Sequence, residues 1–210
     1  MHTERGFDRL VNFSDAVVAI AITLLILPLV DLAADLKDAS VLDMLESNWP
    51  QFLVFIISFA VIGRFWLNHH RLYENVIGYN SALLWVNLLW LLTIVFLPFP
   101  TELISSTGQN NPSTAALYVG TMVLTTASGA WQQLILIRNP ALQAEAVRGQ
   151  LRMGPSLIAL GLMLVVFVMV VAVPEFGLLW LFLLVLTGPG QAVYVRRFKR
   201  LNPGRAVPPE

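Results

Sequence analysis

Only 12% of the 210 residues are charged and none is cysteine, so few side chains are available for chemistry. The lack of cysteine excludes disulfides, thiolate nucleophiles, zinc–thiolate sites and cysteine-ligated clusters. No Gly-x-Ser-x-Gly run, His-Glu-x-x-His pair or closely spaced aspartate pair within an apolar run occurs, which disfavours a hydrolase. What remains is a short set: Ser14 and Asp15 at the head of one apolar run, Thr23 inside it and Asp31 beyond it, Arg64 inside a second run, and His69 beside His70 at its end. A carboxylate such as Asp15 is either a proton or cation ligand or a paired structural group, and both readings stand. Adjacent histidines on a helix diverge by about 100° and no third ligand lies close, so no metal or other cofactor is expected. Arg64 either snorkels or joins a subunit contact.

The elements that hold these residues are membrane spans. Mean hydropathy is +0.71, and soluble domains carry about twice this share of charge. Uncharged runs of 27 residues separate Glu74 from Glu102, of 22 separate Arg152 from Glu175, and of 20 extend from Phe176 to Val195. Each meets the roughly 20 apolar residues needed to cross about 30 Å of hydrocarbon. The expectation is an all-α polytopic membrane protein with six helices over residues 7–30, 49–70, 78–99, 113–137, 153–173 and 177–196. Pro98 and Pro100 are expected to end the third, and Ser113 to cap the fourth. Residues 1–200 form one transmembrane domain, and 201–210 a disordered Pro-rich tail. The first run lacks a small-residue cleavage site and reads as a retained span.

Arginines set the orientation. Arg5, Arg9, Arg71, Arg138, Arg148, Arg152 and the Arg196–Arg205 cluster fall on one side, while Lys37 faces Asp31, Asp35, Asp38, Asp43, Glu46, Glu102 and Glu175 on the other. The positive-inside rule puts both termini in the cytoplasm. Zero formal net charge and an apolar bulk argue against a nucleic-acid partner. Lipid is the expected environment. No internal repeat is evident, which weakens an inverted-repeat transporter.

The first span is the anomaly. Its uncharged part, Ala16 to Val30, is 15 residues, about 22 Å of helix, and is preceded by Asp8, Arg9, Ser14 and Asp15. Its cytoplasmic half must therefore face protein or water. At about 100° per residue, Phe13, Val17, Ile20, Leu24 and Leu27 share a stripe, with Thr23 within about 60° of Ile20, Asp31 at the outer end and Asp15 on the far side. Such a stripe is ordinarily packing, and a membrane threonine ordinarily bonds back to its own helix, here to Ala19. Pro28 should kink the helix after Leu24.

The motif Arg9-x-x-x-Phe13-Ser14-Asp15, followed by Ala19-Ile20-Ala21-Ile22-Thr23-Leu24, resembles the signature of the transmembrane protein 175 potassium channels in their bacterial single-repeat form. The resemblance extends to Trp66-x-x-His69-x-Arg71-Leu72, Asn87 and Phe96-Leu97-Pro98-Phe99-Pro100. It implies four six-helix subunits around a pore lined by the first helix in a bacterial inner membrane, with potassium as permeant ion. It also implies a constriction at Ile20 continued by Leu24 and Leu27, and a selectivity layer at Thr23. Under it Ser14 and Asp15 find partners in His69 and Asn87, with Trp66 and Arg9 nearby, and Asp31 draws cations to the outer mouth or is a solvated loop acid. The alternative function is a proton-coupled or facilitative small-solute transporter using Asp15 and His69.

Overall fold

The computed structural model describes residues 4–34, 40–107 and 111–186. The expected tail, the Arg196–Arg205 cluster, Asp35, Lys37 and Asp38, and the inner part of the sixth expected span lie outside them. Among the described residues all regular structure is helical, apart from one bridge between Val76 and Gln143. Among the described residues four stretches are long and apolar enough to cross a membrane: Arg5–Leu32, Trp49–Tyr73, Ser81–Thr107 and Gly154–Ala172. The chain is a multi-pass membrane protein.

The first span is two helices, α1 (Glu4–Leu24) and α2 (Leu27–Ala34). Between them Leu25 and Ile26 donate to Ile22 and Thr23, three residues back. The break is the one Pro28 requires: its nitrogen has no hydrogen for the Leu24 carbonyl, so the helix tightens and restarts. A short helix absent from the sequence reading, α3 (Val41–Ser47), follows Ser40, whose side chain caps Asp43. The second span is α4 (Trp49–Tyr73), one turn longer than expected.

The prolines of the third span do not end it. α5 (Ser81–Phe96) stops at Leu97, and α6 (Pro98–Thr107) resumes at once. Pro98 and Pro100 occupy the first turn of α6, where a backbone N–H has no intrahelical acceptor and nothing is lost. The cap of α7 (Pro112–Arg138) is likewise Asn111 rather than Ser113: its carbonyl oxygen accepts from the amides of Ser113 and Thr114. α8 (Gly154–Ala172) matches its expected bounds. Beyond it, residues Pro174–Leu186 wind as a 3-10 helix against α8, with Trp180 donating to the Val173 carbonyl.

α7 is the hub, packed on α4, α5, α6 and α8. Its buried face carries Thr114, Tyr118, Thr121, Thr125, Ser128 and Gln132, spaced alternately by four and three residues. Several of these hydroxyls bond back to their own helix, Thr121 to Leu117 and Thr125 to Thr121. The Tyr118 hydroxyl meets Ser58 of α4, which also accepts from Thr101 of α6. α7 thus turns polarity inward, which is why it is less apolar than α5 and α8. α1 docks against α4 and α5. Through Pro28→Ala the missing donor returns, and the account expects one continuous helix: hydrogen exchange at residues 25–28 slows to the rate of mid-helix amides, whereas unchanged exchange removes Pro28 as the cause of the break.

Candidate functional site

Two opposite faces of α1 do different work. Phe7, Leu10, Ser14, Val18, Ala21 and Leu25 are buried, at the three-and-four spacing of one helical face. At its centre Ser14 is 0% exposed, and its only hydrogen goes to the Leu10 carbonyl at 2.9 Å. The Ser14 oxygen can then only accept, and it does so from the Asn87 side-chain nitrogen at 2.9 Å. That fixes the Asn87 amide with its oxygen toward His69, 2.8 Å away, so the His69 Nε2 must carry a proton and donate. One directed chain, His69 to Asn87 to Ser14 to Leu10, ties α4 and α5 to α1. His69 is further clamped between Tyr73 and Trp90, with ring centroids at 4.2 and 4.1 Å.

Asp15 lies on the flank of this face, half-buried, and accepts from the Trp66 indole nitrogen at 2.9 Å. The hydrogen bonds of the expected grouping therefore divide: Ser14 has Asn87 and, through it, His69, while among the described residues Asp15 accepts from Trp66. Consecutive residues sit about 100° apart on a helix, so Ser14 and Asp15 reach different neighbours. Arg9 and Phe13 of the motif are exposed and stand outside this network. The two histidines also diverge, His70 meeting Glu74 at 3.3 Å and stacking on Trp66.

The other face of α1 is uncovered. Ile20 is 61% exposed and Leu24, Leu27 and Phe13 are also exposed, as are Asn12, Ala16, Ala19, Thr23 and Asp31. Of the expected stripe, Phe13, Ile20, Leu24 and Leu27 share this surface while Val17 is half-buried against the core, and the surface is broader than expected, with a small and polar edge of Asn12, Ala16 and Ala19. The signal for that edge was the helical wheel itself, centred on the aliphatic side chains alone. Thr23 donates to the Ile20 carbonyl at 2.8 Å, one residue later than expected. Its hydrogen is thereby committed to its own helix, which leaves the hydroxyl oxygen able to accept.

The uncovered faces elsewhere differ. On α5 the exposed large residues are Trp85, Leu88, Leu89, Leu92, Val95 and Phe96, and on α8 Leu157, Leu164, Val165, Val168 and Val171. These suit hydrocarbon. A face bearing Asn12 and Thr23 does not.

A family model described as the endosomal/lysosomal potassium channel TMEM175 matches residues 9–98, the segment that contains the whole hydrogen-bonded network. A potassium channel of Streptomyces collinus is 35% identical over 127 residues, 60% of this chain and 61% of that one. A potassium channel of Chamaesiphon minutus is 32% identical over 160 residues, 71% of this chain and 79% of that one. Among solved structures, a lysosomal potassium-selective channel TMEM175 homolog from Chamaesiphon minutus aligns with a TM-score of 0.54 at 27% identity, covering 86% of this chain and 97% of its own.

The network makes a graded prediction. Asn87→Leu leaves both Ser14 and His69 buried without their partner, at about 1–3 kcal/mol each, whereas Trp66→Phe deprives a half-buried carboxylate of one bond. Thermal unfolding in detergent is expected to fall further for Asn87→Leu; the reverse order contradicts the division described.

Proposed function

The chain belongs to the TMEM175 family of potassium channels, and from that premise we propose that four copies enclose a potassium-permeable pore lined by the uncovered face of α1. It is a channel and not an enzyme. The observation that supports this lining is the contrast between surfaces: the exposed side chains of α5 and α8 are mostly large and hydrophobic, while α1 presents Ile20, Leu24 and Leu27 beside Thr23, Asn12 and Ala16. Polar groups left exposed at membrane depth are better placed against water or another copy than against lipid.

Each residue then has a physical role. Four Ile20 side chains form a ring of methyl groups against which an ion cannot keep its hydration shell, so the constriction gates by dewetting. Leu24 and Leu27 extend it outward. Thr23, its oxygen free to accept, replaces part of the lost water, and this favours potassium because sodium holds its water more tightly. No Thr-Val-Gly-Tyr-Gly run occurs, so selectivity depends on this single hydroxyl layer and is modest. Asp31 stands at the outer mouth and concentrates cations there. The arginine bias favours both termini in the cytoplasm, and the proposed channel has six spans in a bacterial inner membrane. α7 serves as the fourth span: its polar side chains are turned inward, and at 27 residues it is about 40 Å long.

A carrier using Asp15 and His69 as one titrating pair is not favoured. Their hydrogen bonds go to different partners, Trp66 and Asn87, and the family is one of channels. In proteoliposome flux and bilayer recordings, Ile20→Ala is expected to raise resting potassium flux severalfold, and Thr23→Ala to bring the potassium-to-sodium permeability ratio down toward one. Unaltered flux and selectivity in both variants overturn the pore-lining assignment.

A further inference from the structure

Arg64 is the sixteenth residue of the 25-residue α4, about 14 Å of helix from its inner end. It is exposed, and among the described residues it has no hydrogen bond or ion pair. A guanidinium at that depth costs several kcal/mol against hydrocarbon. The same face also exposes Ala60, Leu67, Asn68 and Arg71, and beside it nothing lies within 4 Å of where a Gly63 Cβ would project. This face is opposite the buried one of Val54, Ser58, Ile62 and His69. With a small-residue notch and two polar groups inside a span, it is unlike the apolar faces of α5 and α8.

An acceptor exists at the matching depth. Trp66 donates to Asp15, so Asp15 lies level with residue 66 of α4, and Arg64 is only about 3 Å away along the helix axis. The second carboxylate oxygen of Asp15 bonds no described residue. The α1 surface beside it is open and small, with Asn12, Ala16 and Ala19 exposed. Rotation about an axis along the membrane normal keeps every group at its own depth in each copy. Arg64 of one copy and Asp15 of the next are therefore level with each other by symmetry.

We propose that the Ala60–Gly63–Arg64 face of α4 docks on the Asp15 flank of α1 in the adjacent copy, with Arg64 and Asp15 paired across that boundary. The inference rests on the oligomeric channel reading above and adds the surface and the charge pair that hold the ring. It also gives Asp15 two tasks: Trp66 fixes one oxygen within the protomer, and the other reaches outward. The small residues on both helices permit the close approach such a pair needs.

The natural absence of cysteine makes the test clean. Arg64→Cys combined with Asp15→Cys, treated in membranes with a short bismaleimide, is expected to give a ladder up to four copies. Arg64→Cys alone, or Trp85→Cys with Asp15→Cys, is expected to give none. A four-copy mass in native mass spectrometry without that ladder overturns this docking while leaving the channel reading intact; a chain that is only monomeric overturns both. A second comparison keeps Asp15 native. Arg64→Leu is expected to lower the four-copy fraction in detergent roughly tenfold or more, as for a buried pair robbed of one partner, and Arg64→Lys by less. If Arg64→Leu assembles as well as the parent, the guanidinium faces lipid and the proposal falls.

Discussion

A hydrogen-bonding group inside hydrocarbon has no solvent to fall back on, and each one left unpaired costs several kcal/mol. That constraint sorts the surfaces of this protein. Ser14, Asn87 and His69 satisfy one another in a chain whose direction is set by one hydroxyl hydrogen. Thr121 and Thr125 bond to their own helix, and Ser58, Thr101 and Tyr118 join three helices inside the bundle. The outward faces of α5 and α8 are dominated by large hydrophobic side chains. On α1 and α4 polar side chains remain exposed on the protomer, Asn12, Thr23, Arg64 and Asn68 among them, and this is the physical ground for the proposed pore and the proposed contact between copies.

α1 serves two ends because a helix has two faces. The buried face is held rigidly: Ser14 is bonded on both sides, and His69, the far end of its chain, is wedged between two aromatic rings. Rotation of α1 would break several of these contacts together. The opposite face is then presented at a fixed angle, which a methyl constriction requires, since dewetting depends steeply on the width between side chains. The break at Leu25–Ile26 falls just outward of Thr23 and Leu24, so α2 can lean independently of the part of α1 that the network fixes.

Much of this was legible in the residues. Charge-free runs marked the spans, Pro28 marked the break, and the short apolar part of the first span marked Ser14 and Asp15 as out of place in lipid. The motif then brought together Trp66, His69 and Asn87 with α1. The motif grouped these residues without dividing them, and a difference of about 100° sends Ser14 toward α5 and Asp15 toward Trp66. The same limit applied to Pro98 and Pro100, since a proline that stops one helix is equally suited to start the next. Asn111 outcompeted Ser113 as a cap because Pro112 takes the first helical position and sets the cap before it. The inward polarity of α7 needed the packed bundle to be seen.

The account turns on the uncovered face of α1 being in contact with water and ions. In a chain without natural cysteine this can be read directly, by applying a water-soluble cationic thiol reagent to reconstituted Thr23→Cys and Leu92→Cys channels during recording. Current through Thr23→Cys is expected to fall as the reagent reacts, while Leu92→Cys, on the apolar face of α5, stays unaffected. Reaction at Leu92 with Thr23→Cys current unchanged contradicts the account.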